Sequence, residues 1–175
     1  MRKDVMIVIG AGQIGMAIAR RVGFDKKVVI GDKNFENAKD IAQIMQSAGF
    51  DAVFSQVELS CRESILSFIK FAESFGEIST LVNAAGVSPS QASIETILKV
   101  DLYGTAVLLE EVGKVIKQDG SGVTISSQSG YRMPALGAEK DAMLALTATE
   151  DLLDLDMLKP EAIRDTLHAY QMAKR

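Results

Sequence analysis

The stretch from Val5 to Gly15, Val-Met-Ile-Val-Ile-Gly-Ala-Gly-Gln-Ile-Gly, constrains this chain more than any other. A short apolar run stops at three glycines spaced G-x-G-x-x-G, Gly10, Gly12 and Gly15. An apolar helical pattern through Ile14, Ala17, Ile18 and Val22 follows at once. Strand, glycine turn and helix in immediate succession form the context in which this motif holds a dinucleotide. Gly10 permits the tight turn, Gly12 leaves the backbone bare for a pyrophosphate, and Gly15 lets the helix pack close to the strand. The N–H groups that open the helix, at Gln13 and Ile14, lack intrahelical partners and point at the anion. Read for structure alone, the same glycines make a strand-to-helix turn that binds nothing. The landmarks further along the chain decide between the two.

Lys27 to Gly31 reads as a second buried strand and ends at Asp32, twenty positions after Gly12. A dinucleotide fold places there the acid that accepts hydrogen bonds from the adenosine ribose. A carboxylate at that point repels the extra phosphate of NADP, so Asp32 argues for NAD. Lys33, a cation next door, is the counter-argument that keeps NADP possible. Asp32 also suits a helix N-terminus before Asn34.

Phe35, Ala38, Ile41, Ala42 and Met45 share one helical face, and Gly49 ends that helix. Asp51 to Val57 reads as a third strand. Ser60 and Glu63 have capping-box spacing before a helix with Ile65, Phe68, Ile69 and Ala72 inside. Thr80 to Ala84 reads as a fourth strand. Ser93 to about Ile116 reads as one long helix, weakened at Gly104. Val123 to Ser127 reads as a fifth strand. The alternation predicts an α/β chain with a Rossmann-type, doubly wound parallel sheet in three layers, α/β/α. Gly10, Asp32, Asn83 and Ser127 then fall at the carboxyl ends of strands, where such sheets bind ligands. Beyond Ser127, Gln128 to Pro134 is turn-rich and Ala138 to Thr147 is a short helix. Thr147 and Glu150 have capping-box spacing, and Pro160-Glu161 opens a last helix to Arg175.

Length and composition fit one domain over residues 1–175. A net charge of -4 offers no basic footprint for nucleic acid. One cysteine, Cys61, excludes an internal disulfide and suits the cytoplasm. With His168 as the one histidine, a zinc site is not expected. No apolar run spans a bilayer, and Met1-Arg2-Lys3-Asp4 runs straight into the first strand without a signal-peptide core. His168 reads as a surface or hinge residue.

Four elements together resemble the short-chain dehydrogenase/reductase family. They are the glycine turn with Asp32, Leu81-Val-Asn-Ala-Ala-Gly86, Val123-Thr-Ile-Ser-Ser-Gln-Ser-Gly130, and Tyr170-Gln-Met-Ala-Lys174 in the pattern Y-x-x-x-K. Of three tyrosines, only Tyr170 has a lysine four positions on. Four apart on a helix, the two project from one face. A free tyrosine hydroxyl has a pKa near ~10, and a nearby ammonium lowers it. The resemblance implies that Tyr170 is the general acid/base and that Lys174 tunes it and holds the nicotinamide ribose. Ser127 orients the substrate oxygen of an alcohol or carbonyl while hydride passes to or from the cofactor. It further implies that Asn83, Ala84, Ala85 and Gly86 line the cofactor, with Glu58 and Leu59 near the adenine, and that two long helices build a homodimer or homotetramer.

The chain also departs from that family. Its turn is G-x-G-x-x-G where the family's is usually G-x-x-x-G-x-G. Asp101 stands where an asparagine usually supports a proton relay. Ser127 and Tyr170 are 43 positions apart, which implies an insertion at about 131–168, expected to be a lid or a subunit contact. The family normally continues through further strands, so the chain reads as an amino-terminal portion. Two other readings of the glycine turn are a nucleotide-sensing regulatory domain of the potassium-transport type and an inactive NAD-binding scaffold.

Overall fold

The computed structural model describes residues 3–175; Met1 and Arg2, where the leader reading begins, lie outside them. The chain forms two compact units, residues 1–85 with 108–125, and residues 86–107 with 126–175.

The first unit holds the sheet. Its elements are β1 (Val5–Ile9), α1 (Gln13–Val22), β2 (Lys27–Asp32), α2 (Phe35–Ser47), β3 (Asp51–Gln56), α3 (Arg62–Glu73), β4 (Ile78–Asn83) and β5 (Ser121–Thr124). All strand pairs are parallel and the order is β3-β2-β1-β4-β5. Successive side chains of a strand face opposite ways, and the two faces are packed differently. Met6, Val8, Val28 and Ile30 join Ala19 of α1 and Ala38, Ala42 and Met45 of α2 in one core. On the other face Gly31 lies under α3, where an added Cβ would come within 2.7 Å of the Phe68 ring. Ile65, Phe68, Ile69 and Ala72 are buried along α3, as their spacing predicts. Arg62 bridges from α3 to Glu110 and Glu111.

Several boundaries differ from the sequence reading. Ile14 and Val22 of α1 are half-exposed, and the buried residues of that helix are Gly15 and Ala19. A helix seated this close to its sheet turns small residues inward. The Ser60–Glu63 capping box does not form: Cys61 is the N-cap, and Ser60 donates to Glu58 instead. β5 starts and ends earlier than the apolar run Val123 to Ser127; only Ile125 N, donating to the Asn83 carbonyl at 2.9 Å, extends its ladder.

The second unit has its own core of Ile97, Leu98, Met133, Leu158, Ile163, Ala169 and Met172. Residues 131–168 supply three of these, so the segment is folded into that core. The helix expected from Ser93 to Ile116 forms over residues 94–115 without a gap, in three contiguous segments of different winding. α4 (Ile94–Ile97) is capped by Ser93, a π-helical turn covers Leu98–Gly104, and α5 (Thr105–Val115) follows. Gln128 to Pro134 contains a short helix, α6 (Gln128–Arg132), capped by Ser127. α7 (Ala138–Leu146) forms where expected. Thr147 and Glu150 make no capping box, because the 3-10 turn that follows begins at Thr149 with Ala148 as its N-cap. The last helix, α8 (Thr166–Ala173), starts at the Asp165 cap rather than at Pro160. No helix among the described residues is long and apolar enough to cross a membrane.

Candidate active site

In the first unit the glycine turn is closed at two points and open at the third. Gly10 has φ +92, which favours glycine, and a Cβ there would lie 2.5 Å from the Ala85 nitrogen. A Cβ at Gly15 would lie 2.3 Å from the Gly10 carbonyl oxygen. At Gly12 an added Cβ would meet nothing within 4 Å. Gly12 is also the N-cap of α1 and has no side chain to cap it, and Gln13 and Ile14 beside it are exposed. A bare backbone at a helix N-terminus with open space before it fits a diphosphate.

Asp32, at the end of β2, reaches back to this turn. Its Oδ2 accepts from Ala11 N at 2.9 Å and from Asn37 Nδ2 at 3.0 Å; its Oδ1 accepts from Asn34 N at 2.9 Å. Lys33 is exposed. Asn83, buried, closes β4, and Ala84 N donates to the Ile9 carbonyl at 2.8 Å, which sets that segment beside the glycine turn. Glu58 is engaged locally: its Oε1 accepts from Ser60 N and Oγ, and Leu59 is buried.

In the second unit the π-helical turn presents Asp101, and π turns in helices often mark functional sites. The Asp101 side chain is fully buried. Its Oδ1 accepts from Val87 N at 2.9 Å, and its Oδ2 lies 3.6 Å from Lys174 Nζ. Burial pushes the Asp101 carboxyl above the ordinary carboxylate range; the Lys174 ammonium and the Val87 N–H oppose that shift. Gly86 packs on the pair: a Cβ there would lie 3.1 Å from Asp101 Oδ1 and 3.2 Å from Lys174 Nζ. Lys174 stands just past the end of α8, where its N–H bonds to the Tyr170 carbonyl at 3.0 Å, and its ammonium lies 5.6 Å from the centre of the Tyr170 ring. The turn that carries Ser127 is tied to the same residue, since Ser126 Oγ donates to the Lys174 carbonyl at 2.7 Å. Ser127 Oγ accepts from Ser129 N at 3.2 Å. His168 Nδ1 accepts from Arg164 N, and its N–H donates to Asp165, so it serves the start of α8.

Within the second unit, then, Gly86, Asp101, Tyr170 and Lys174 are brought together, and the Ser127 turn is tied to Lys174. Within the first, the three glycines and Asp32 share one turn, with Ala84 and Ala85 beside it, while Glu58 and Leu59 belong to the β3–α3 turn. Two contributors escaped the sequence reading. Asn37 was legible only as part of a helix start, three positions after Asn34. Val87 acts through its backbone, which no side-chain pattern reveals.

The strand order and the glycine turn define a Rossmann-type nucleotide-binding fold. The profile described as short chain dehydrogenase matches residues 4–152, and the chain belongs to that family. It is 38% identical over 177 residues to short-chain dehydrogenase/reductase bsc3 of Alternaria brassicicola, covering 100% of this chain and 64% of that protein. With carbonyl reductase (NADPH) 1 of Mus musculus it shares 29% over 141 residues, 74% of this chain and 51% of that one. The chain thus spans about half to two-thirds of the length of these curated relatives. Among solved structures, menthone neomenthol reductase from Mentha piperita superposes with a TM-score of 0.72 at 16% identity, covering 99% of this chain and 82% of that one. This likeness shows the fold.

Proposed function

We propose that this chain belongs to an NAD(P)-dependent oxidoreductase that interconverts an alcohol and a carbonyl by hydride transfer, with NAD preferred. The observation that carries the reading is the Lys174 ammonium held beside Tyr170 by a buried carboxylate, in a chain that also carries the open glycine turn. Gly12 and the first N–H groups of α1 hold the diphosphate, and Asp32 accepts from the adenosine ribose. When bound, the nicotinamide supplies the hydride acceptor or donor. Tyr170 Oη takes the alcohol proton in oxidation and returns it in reduction. Lys174 supplies the positive charge that favours the phenolate during that transfer. The Ser127 hydroxyl already accepts from Ser129 N and keeps its own proton to donate to the substrate oxygen.

The carboxylate of Asp32 supports NAD over NADP through repulsion of a 2′-phosphate, although the mouse relative named above carries NADPH in its name. Tyr170→Phe in the full-length protein tests the assignment. The variant is expected to bind NADH as the parent does and to lose NADH-dependent carbonyl reduction by roughly 100- to 10,000-fold. Unchanged turnover on a carbonyl panel would remove Tyr170 from the chemistry.

A further inference from the structure

A carboxylate offers about four acceptor directions, two on each oxygen. In Asp32, both on Oδ2 are taken, by Ala11 N at 2.9 Å and by Asn37 Nδ2 at 3.0 Å. Asn34 N takes one on Oδ1 at 2.9 Å. One acceptor direction remains, on Oδ1. The Asn37 amide is held from a second side as well, because its Nδ2 also donates to the Ala11 carbonyl at 3.3 Å. Both partners of that amide are pure acceptors, so the NH2 group, with two donors, must face them; the reverse orientation would set its oxygen against a carboxylate. Asn37 therefore ties the end of β2 to the residue between Gly10 and Gly12.

We propose that Asn37 is a positioning residue for dinucleotide binding: it fixes the Asp32 carboxylate against the glycine turn so that Oδ1 alone is offered to a ribose hydroxyl. The proposal rests on the dinucleotide reading above and adds a residue to it. With Asn37 in place, Asp32 meets the ribose without having to be ordered by the ligand, which is where a preorganised site gains affinity. Without it, Oδ2 loses one of its two donors and the carboxylate is held only by the Ala11 and Asn34 N–H groups.

Two measurements on Asn37→Ala test this. The first is titration calorimetry with NAD and with NADP. Loss of positioning is expected to weaken NAD about tenfold, the scale of one hydrogen bond to a charged group. NADP, which gains nothing from Asp32, should change less than twofold. The second is amide exchange in the cofactor-free protein. Exchange at Ala11 and Asn34, the other two donors to Asp32, is expected to speed up while Ala42 in the middle of α2 is unchanged. Equal weakening of both cofactors, or exchange accelerated along all of α2, would make Asn37 a structural residue and overturn the proposal. So would unchanged NAD affinity with unchanged exchange at Ala11. If the parent protein binds neither cofactor, the dinucleotide reading fails, and exchange at Ala11 still decides whether Asn37 positions Asp32. Should the alanine variant not fold, Asn37→Leu keeps the branched shape of the side chain without donors and is read the same way; failure of both to fold overturns the proposal.

Discussion

A carboxylate buried beside a lysine behaves differently from a neutral amide in the same place. Asp101 has a folded-state pKa raised above its ordinary 3.8, first because burial penalises its charge. A carboxyl whose pKa rises on folding contributes stability when protonated and loses that contribution as pH climbs through its folded value. The stability of the parent relative to Asp101→Asn should therefore be greatest below about pH 4 and should fall as pH rises from there. Melting temperatures of the two proteins from pH 3 to 7 check this; a parent-minus-variant difference that rises with pH would contradict it. The same substitution removes a negative charge from beside the Lys174 ammonium, so an anion forming near that ammonium is favoured more strongly. The pH–rate profile for alcohol oxidation is expected to move toward lower pH. At this scale the sequence was informative where residue identity carries chemistry: Asp32 stood out by its spacing from Gly12, and Asp101, Tyr170 and Lys174 through the family resemblance. It was uninformative where one side chain works through another. Asn37 is an ordinary polar residue until the Asp32 oxygen is placed 3.0 Å from its amide.

The elements of the sheet were the most legible part of the chain, because apolar runs of strand length between helical stripes have few other solutions. The helices were less so, for two reasons. Reading α1 by its large apolar residues selects Ile14 and Val22, whereas a helix in close contact buries Gly15 and Ala19. In the segment after Ser93, the π turn of Leu98–Gly104 inserts an extra residue that no 3.6-residue pattern announces; Gly104 marks only its end. The contact of α1 with the sheet is open to test. Gly15→Ala forces a methyl to within 2.3 Å of a carbonyl oxygen that belongs to the glycine turn itself. Overpacking of this kind costs roughly 1–3 kcal/mol, enough to lower the melting temperature by several degrees. Calorimetric or optical melting of the variant checks it, and an unchanged transition would mean that α1 sits further from β1 than described.

At the scale of the molecule, length suggested one domain, and the family resemblance implied an insertion at about 131–168. The chain forms two units, each with its own core, and residues 131–168 supply part of the second. The segment was legible as an expected insertion only through the resemblance to a family that usually joins the residues matching Ser127 and Tyr170 by a shorter loop than the 43 positions here. Its packing was not, because acidic-apolar runs such as Asp151 to Met157 fold into short 3-10 turns that have no strong periodic signature. The proposed function requires the first unit to bind a dinucleotide. Gly12 separates binding from folding, since its added Cβ meets no protein atom while it occupies the space proposed for the diphosphate.

Titration calorimetry of NAD into the parent protein and into Gly12→Ala is therefore the most direct test. The parent is expected to bind NAD at one site per chain. The variant should keep a cooperative melting transition close to the parent's and bind NAD at least about tenfold more weakly. A parent that binds neither NAD nor NADP, or a Gly12→Ala variant that binds NAD as tightly as the parent, would contradict the account.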